Sequence, residues 1–427
     1  MQFTFIHAAD LHLDSPFKGV SASATEHRDI VDTLHAATWS AFDNLVALCQ
    51  QEQAAFLLLA GDVYDGADRS LRAQLRLRDR LAQLGEAGTH TFWVHGNHDP
   101  SDSHQSSIGW PDMVHRFDSD TPETRLATHE GAPIAEITGA SHRSRSERRN
   151  LAAKMSPGDH DVPQIALLHA NVGATSNHAN YAPCKLSDLR EAGFDYWALG
   201  HVHEHAVLAT NPHVIYPGSL QGLSVREPGP RGCVVATVDT ETRRVETRFV
   251  PLDSVRWAVI DIPLNEIETI DALEQDLQAA IDGELTAAKG RPIIVRARLT
   301  GESDMWRELQ DAHEMEGILE QLREWTVALA PWAWVQDLRV VCRPPIDLGQ
   351  VMKGNDLLGQ ALSVGLRFRE LQEAERASEL STILAPLFQH VRAKRVLAPL
   401  SEQDLQAVIE RAENECVRLL DSREAAN

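Results

Sequence analysis

The sequence is short of positive charge, paired cysteines and long apolar runs, and each shortage removes a class of protein. Its 40 Lys and Arg stand against 62 Asp and Glu, a formal net charge of −22 at pH 7. Such a chain does not coat nucleic acid through a broadly basic surface. An enzyme whose carboxylates hold cations stays open, because those carboxylates count as negative in the sum while the cations reverse the local field. The five cysteines, at 49, 184, 233, 342 and 416, are odd in number and form no C-x-x-C pair. That excludes a disulfide framework and a zinc ribbon, and a reducing cytoplasm is expected. No uncharged apolar run approaches the roughly 18 residues that a bilayer-spanning helix needs. The opening MQFTFIHAADLHLDS lacks a basic leader region and sets Asp10 where a signal peptide requires apolar residues. The expectation is a soluble cytoplasmic protein with no membrane contact.

At 427 residues, 43% hydrophobic and 24% charged, the chain has a globular composition and enough length for two or three cores. Histidine divides it: 18 of the 20 fall in residues 1–251, leaving only His313 and His390 beyond. The chemistry is therefore expected in the first part. There, short apolar runs alternate with helical stretches, and polar residues follow each run. Phe3 to Ala9 precedes Asp10, Phe56 to Ala60 precedes Asp62, and Thr91 to Val94 leads to Asn97; Ile165 to Leu168 runs into His169, and Tyr196 to Leu199 leads to His201. Such runs predict buried strands. Their carboxyl ends converge on one rim of a sheet, where α/β folds bind ligands. Two antiparallel hairpins are expected next, Ala206 to Tyr216 turning at Asn211-Pro212 and Cys233 to Val250 turning near Thr240 to Thr242. The fold class is α/β, a β-sandwich flanked by helices over residues 1–252.

Residues 253–346 predict a small βαβαβ unit: strands Val255 to Ile262, Pro292 to Leu299 and Trp334 to Cys342, with helices over 266–288 and Ser303 to Leu329, the latter capped by Ser303. Pro344-Pro345 ends it. Residues 347–427 read as helical. The last segment, Ser401 to Leu420, opens with a Ser-x-x-Asp capping signal and sets Leu405, Val408, Ile409, Ala412, Cys416, Leu419 and Leu420 on one face. That face suits packing on its own domain.

Five motifs carry the chemistry: Asp10-Leu11-His12, Gly61-Asp62-Val63-Tyr64-Asp65, Gly96-Asn97-His98-Asp99, the single His169, and Gly200-His201-Val202-His203. GNHD alone turns up by chance about once per thousand chains of this length. Taken singly, Asp10 and Asp62 have an ordinary role as turn residues after strands, and His201 and His203 share one face of an extended segment. Together they form a set. A phosphodiester is hydrolysed when two cations a few Å apart neutralise its oxygens and lower the pKa of a water that attacks in line. Such a centre needs oxygen and nitrogen ligands and a carboxylate to bridge. Asp10, His12 and His203 suit one cation, Asn97, His169 and His201 the other, and Asp62 the bridge. His98 is then free to donate a proton to the leaving oxygen, with Asp99 as its orienter or as a cap for the turn before Pro100. Asp65 reads equally as support for the centre or as a helix cap.

In these five motifs, in this order over residues 10–203, the chain resembles the calcineurin-like metallophosphoesterases. FIHAADLHLDSPF, GDVYD and PGSLQG at 217–222 look most like bacterial DNA-repair exonucleases of the SbcD/YhaO type. The resemblance implies two divalent ions, usually manganese, a nuclease acting on DNA as an exonuclease and also on single strands or hairpins, and a dimer. It also implies a cap domain after the phosphoesterase core, and a carboxyl-terminal segment docked on an SMC-like coiled-coil ATPase. Asp65 departs from the histidine that some of these nucleases carry three residues after the bridging aspartate. A phosphatase or small-nucleotide phosphodiesterase is the alternative enzyme, and a mainly structural subunit of an ATPase complex the alternative from another class.

Two basic features are candidates for DNA contact. Arg69, Arg72, Arg76 and Arg80 recur at 3, 4 and 4 residues and form one helical stripe, and Arg143, Arg145, Arg148 and Arg149 make the densest basic run. A solvated helix face and a surface loop are the plain alternatives. Neither contains aromatics, so base stacking is not expected.

Overall fold

The computed structural model describes residues 1–17, 20, 27–65, 70–102, 108–129, 131–173, 181–345, 351, 356–390 and 402–420. The chain divides into two compact units: Met1–Ile260 with Gln278–Ala297 and Gln321–Asp337, and Asp261–Leu277 with Arg298–Glu320 and Leu338–Asn427. No helix among the described residues is long and apolar enough to cross a membrane.

The first unit holds two six-stranded mixed sheets. In chain order its strands are β1 (Gln2–Ala8), β2 (Phe56–Ala60), β3 (His90–Val94), β4 (Val114–Phe117), β5 (Glu123–His129), β6 (Ala132–Ala140), β7 (Gln164–His169), β8 (Tyr196–Gly200), β9 (Ala206–Thr210), β10 (His213–Tyr216), β11 (Gly232–Asp239) and β12 (Val245–Pro251). One sheet runs β12-β11-β1-β2-β3-β4 and the other β5-β6-β7-β8-β10-β9. Strands β1 to β4 run parallel to one another, as do β6, β7 and β8, whereas β11 is antiparallel to β1 and β5 to β6. The two expected hairpins form, β9 with β10 and β11 with β12, both antiparallel.

The strands pack as the apolar runs dictate. Phe5, Phe56, Leu58 and Phe92 from one sheet meet Ile137, Ile165, Leu167 and Tyr196 from the other in a single buried cluster. Phe5 stacks on Phe56 and meets Tyr196 edge-on, each at 5.1 Å between centroids. Each such side chain contributes roughly 1.5–3 kcal/mol through burial. The outer face of the first sheet is covered by α1 (Arg28–Gln51) and α2 (Leu71–Glu86), through Trp39, Phe42, Leu45, Leu77, Leu81 and Leu84. Ser70 caps α2 by accepting from the Ala73 N–H at 3.0 Å. The second sheet carries the short α3 (Leu186–Glu191), whose Leu189 packs on Leu168, Trp197 and Val214. The outcome is the expected mixed α/β sandwich with helices outside.

A third sheet, β13-β14-β15, comprises Arg256–Pro263, Ile293–Thr300 and Ala333–Val340. Helices α4 (Ile270–Ala287) and α5 (Ala312–Val327) alternate with its strands. The helix expected from Ser303 starts later. Ser303 instead caps a 3-10 turn by accepting from the Met305 N–H at 3.1 Å, and Asp311 accepts from the His313 N–H at 2.8 Å where α5 begins.

In the second unit, helices Leu357–Glu370, Glu373–Gln389 and Glu402–Leu420 follow. Leu405 and Ile409 pack with Phe368 and Leu380, and Val417, Cys416 and Leu420 with Leu358 and Leu362. The apolar face of the last helix is thus occupied by its own unit. Ala412 is exposed rather than on that face, while Ser401 and the Leu419 side chain lie outside the described residues.

Candidate metal centre

The strand ends set the site. The segments after β1, β2 and β3 carry Asp10 with His12, Asp62, and Asn97, while β7 ends on His169 and β8 leads to His201 and His203. The backbone here is held in an uncommon conformation. Of the nine non-glycine residues with positive φ among those described, four are candidate ligands: Asp10 at 51°, His12 at 42°, Asp62 at 51° and His201 at 105°. Such conformations cost on the order of 1–3 kcal/mol each and persist at functional sites. Gly96 is required by close approach, since a methyl group there would sit 2.2 Å from Asp62 Oδ1.

The side chains converge. Ligand atoms of Asp10, His12 and His203 lie within 4.8 Å of one another, and so do those of Asp10, Asp62 and His169. His12 Nε2 is 3.3 Å from His203 Nε2, and Asp62 Oδ2 is 3.4 Å from His169 Nε2. Asn97 Oδ1 lies 3.0 Å from His169 Nε2 and 3.2 Å from His201 Nδ1. The seven candidate ligands are therefore gathered in one place, Asp10 standing in both of these groups, and a third set of ligand atoms, from His12, Asp65 and His98, lies equally close together. Asp62 and Asp10 both face His169.

The electrostatics suit cations. Burial raises the Asp10 carboxyl to about 6, and burial lowers His12 to about 4. Burial also works against charge on Asp62 and His169, yet their mutual attraction wins: Asp62 lies well below the usual carboxylate range and His169 rises to about 9. Asp10 Oδ1 is buried and has no hydrogen-bond partner among the described residues. A buried carboxylate oxygen left in that position is costly unless a cation meets it. His169 is oriented for such a role, its Nδ1 lying 2.9 Å from the Ala60 carbonyl, which leaves Nε2 facing the cluster. Carboxylate, amide oxygen and imidazole together fit a pair of divalent ions.

His98 stands beside the cluster, 29% exposed at its side chain, its ring edge-on to His12 at 5.0 Å. Its orienter differs from the expected one. Asp99 is fully buried and accepts from the backbone N–H groups of Gly96 at 2.7 Å, Asp62 at 3.2 Å and Val63 at 3.1 Å. That ties the third motif to the second and leaves His98 to Asp65, whose Oδ1 lies 2.7 Å from His98 Nδ1. The bond to Asp65 raises the His98 pKa. Asp65 was legible as support from its place in GDVYD, but not as the partner of His98.

The basic candidates separate. Arg145 is exposed and near enough for its charge to oppose protonation of His98. Arg72, Arg143 and Arg148 are exposed as well. Arg76 and Arg80 are drawn to Asp43 of α1, at 3.2 and 2.8 Å. Arg149 is gripped by Glu147 and by Asp120, the latter at 2.6 Å. These three arginines brace the fold, and Arg69 lies outside the described residues.

Residues 3–205 match the family model of the calcineurin-like phosphoesterases, and residues 257–343 that of the middle domain of the metallophosphoesterase YhaO. The chain is 31% identical over 411 residues to the uncharacterized metallophosphoesterase YhaO of Bacillus subtilis, covering 96% of each. It is 24% identical over 206 residues to the DNA double-strand break repair protein Mre11 of Sulfurisphaera tokodaii, 47% of this chain and 49% of that one. Solved structures that resemble it include GAP50, the anchor in the inner membrane complex of Plasmodium, at 14% identity and TM-score 0.35, covering 59% of this chain and 85% of that one. A dimetal phosphatase from Danio rerio is similar at 14% identity and TM-score 0.33, covering 57% and 98%.

Proposed function

The chain belongs to the calcineurin-like metallophosphoesterases, and from that premise we propose that it hydrolyses phosphodiesters of DNA, as a manganese-dependent exonuclease. The observation that carries the reading is the convergence of Asp10, His12, Asp62, Asn97, His169, His201 and His203, with Asp10 Oδ1 buried and without a hydrogen-bond partner among the described residues. Asp10, His12 and His203 would hold one divalent ion and Asn97, His169 and His201 the other, with Asp62 between them. When bound, the pair neutralises phosphate oxygens and activates water. His98, whose pKa the bond to Asp65 raises, gives its proton to the leaving oxygen. Arg145, beside His98, meets the phosphate backbone, and Arg72, Arg143 and Arg148 extend that contact.

Two further points support DNA. The relative from Sulfurisphaera tokodaii is named a DNA double-strand break repair protein, and the residues beyond 252 are more than a small-molecule esterase needs. The helical segment exposes Leu357, Val364, Leu366, Ile383 and Leu387, which supports a docking role toward a coiled-coil ATPase. The test compares manganese-dependent release of nucleotides from end-labelled duplex DNA with hydrolysis of cyclic nucleotides and phosphomonoesters. Preference for DNA is expected. Preference for the small esters overturns it.

A further inference from the structure

The motif Pro217 to Gly222 contributes no candidate ligand, yet the segment it opens closes on one. Gly218, at φ +83°, packs so tightly that a methyl group there would lie 2.9 Å from the His203 carbonyl oxygen and the His205 nitrogen. The Ser219 N–H donates to the His203 carbonyl at 3.0 Å, and the buried Arg231 guanidinium donates to the same oxygen. Arg231 also reaches the Pro228 carbonyl at 2.9 Å. Between these two grips, Glu227 turns inward. Its Oε1 lies 2.5 Å from His203 Nδ1, and its Oε2 accepts from the Leu223 N–H at 2.7 Å. One carboxylate thereby fastens both the ring of His203 and the loop that carries the carboxylate.

We propose that residues 218–231 form a clamp for one cation of the centre, with Glu227 as the positioning residue that fixes His203 with its Nδ1–H donated away and its Nε2 facing Asp10 and His12. This rests on the metal-centre reading above. The geometry is specific: His203 Nε2 is 3.3 Å from His12 Nε2 and 3.8 Å from Asp10 Oδ1, so the ring nitrogen opposite Glu227 is the one that points into the cluster. His169 is fixed in the same sense by a backbone carbonyl. For His203 the partner is charged, which also raises the basicity of the ligand nitrogen. The alternative is a carboxylate that only ties its own loop through Leu223. A glutamine offers one acceptor where the carboxylate offers two, so it breaks one of the two bonds; the affinity of the second ion and the tautomer of His203 then separate the readings.

The experiment uses the full chain, stripped of metal and titrated with Mn²⁺ by calorimetry, with electron paramagnetic resonance on the loaded samples. The wild type is expected to take up two ions and to show the spectrum of a spin-coupled pair. Glu227→Gln is expected to keep one ion at wild-type affinity and to weaken the other about 10- to 100-fold, with the coupled spectrum replaced by that of isolated Mn²⁺ at limiting metal. Glu227→Asp restores part of the loss, and the exposed neighbour changed in Glu204→Gln leaves both ions in place. A Glu227→Gln chain that binds both ions as the wild type does refutes the role of Glu227 alone. A wild type that binds fewer than two refutes the metal centre itself. Nitrogen-15 spectra of the zinc-loaded wild type need no variant: protonated Nδ1 on His203 is expected, and a metal-bound Nδ1 overturns the proposal.

Discussion

Replacing Asp65 by asparagine should slow the enzyme according to what leaves. His98 and Asp65 share a 2.7 Å bond between Nδ1 and Oδ1, and both are about a third exposed or less at their side chains, 29% and 34%. The bond is charge-assisted, worth on the order of 1.5–3 kcal/mol net. At about 1.4 kcal/mol per factor of ten, its loss should lower turnover of a dinucleotide roughly 10- to 100-fold. His98→Ala removes the proposed proton donor and should cost about 10²- to 10⁴-fold. Both losses should shrink with bis(p-nitrophenyl) phosphate, because nitrophenolate departs without a proton whereas a deoxyribose alkoxide does not. If Asp65 acts through that ring, the double variant should be no slower than His98→Ala. The assay measures turnover of the two esters by wild type, both single variants and the double variant, each checked for metal content. Equal losses on both esters, or losses that multiply in the double variant, would refute the reasoning.

Asp99→Ala leaves three buried N–H groups without an acceptor, at about 1–3 kcal/mol each, so the denaturation midpoint should fall far more than for Asp65→Asn. Gly96→Ala drives a methyl group to 2.2 Å from Asp62 Oδ1, and should lower metal content while the far-ultraviolet circular dichroism stays as in the wild type. Glu147 is 3% exposed at its side chain, and its bond to Arg149 holds its pKa near 2 against an ordinary 4.5. Its stabilisation is therefore full above pH 4.5 and lost as the pH falls through about 2. Because Arg149 is 47% exposed, solvent screening reduces the contribution to about 1–2 kcal/mol. Chemical denaturation should show Glu147→Gln less stable by that amount at neutral pH, with the gap narrowing between pH 4.5 and 2.

Much of this was legible because the strands that lead to the site are buried on both faces. Phe56–Ala60 and Tyr196–Gly200 read as unbroken apolar runs, and each delivers its polar residues where the run stops. Strands β4, β5 and β6 gave no such signal. Glu123–His129 alternates charged and small residues, exposed at Arg125, Leu126 and Thr124, so it resembles a loop until β6 pairs with it. The start of α5 was misplaced because Ser303 and Asp311 both suit a cap, and only the fold decides which begins a helix. At the site, the motifs named the side chains that the fold brings together. Their second partners could not be named: Asp65 reaches His98 across 33 positions and Glu227 reaches His203 across 24. A hydrogen bond between loops leaves no periodic trace in either.

The most direct test is a titration of activity with metal on the full-length chain. Metal-free protein, assayed on bis(p-nitrophenyl) phosphate while Mn²⁺ is added, should be inert at first and reach a plateau at two bound equivalents, with Asp62→Asn inert throughout. Turnover by the metal-free chain, or a chain loaded with two ions that cleaves no phosphodiester, would contradict the account.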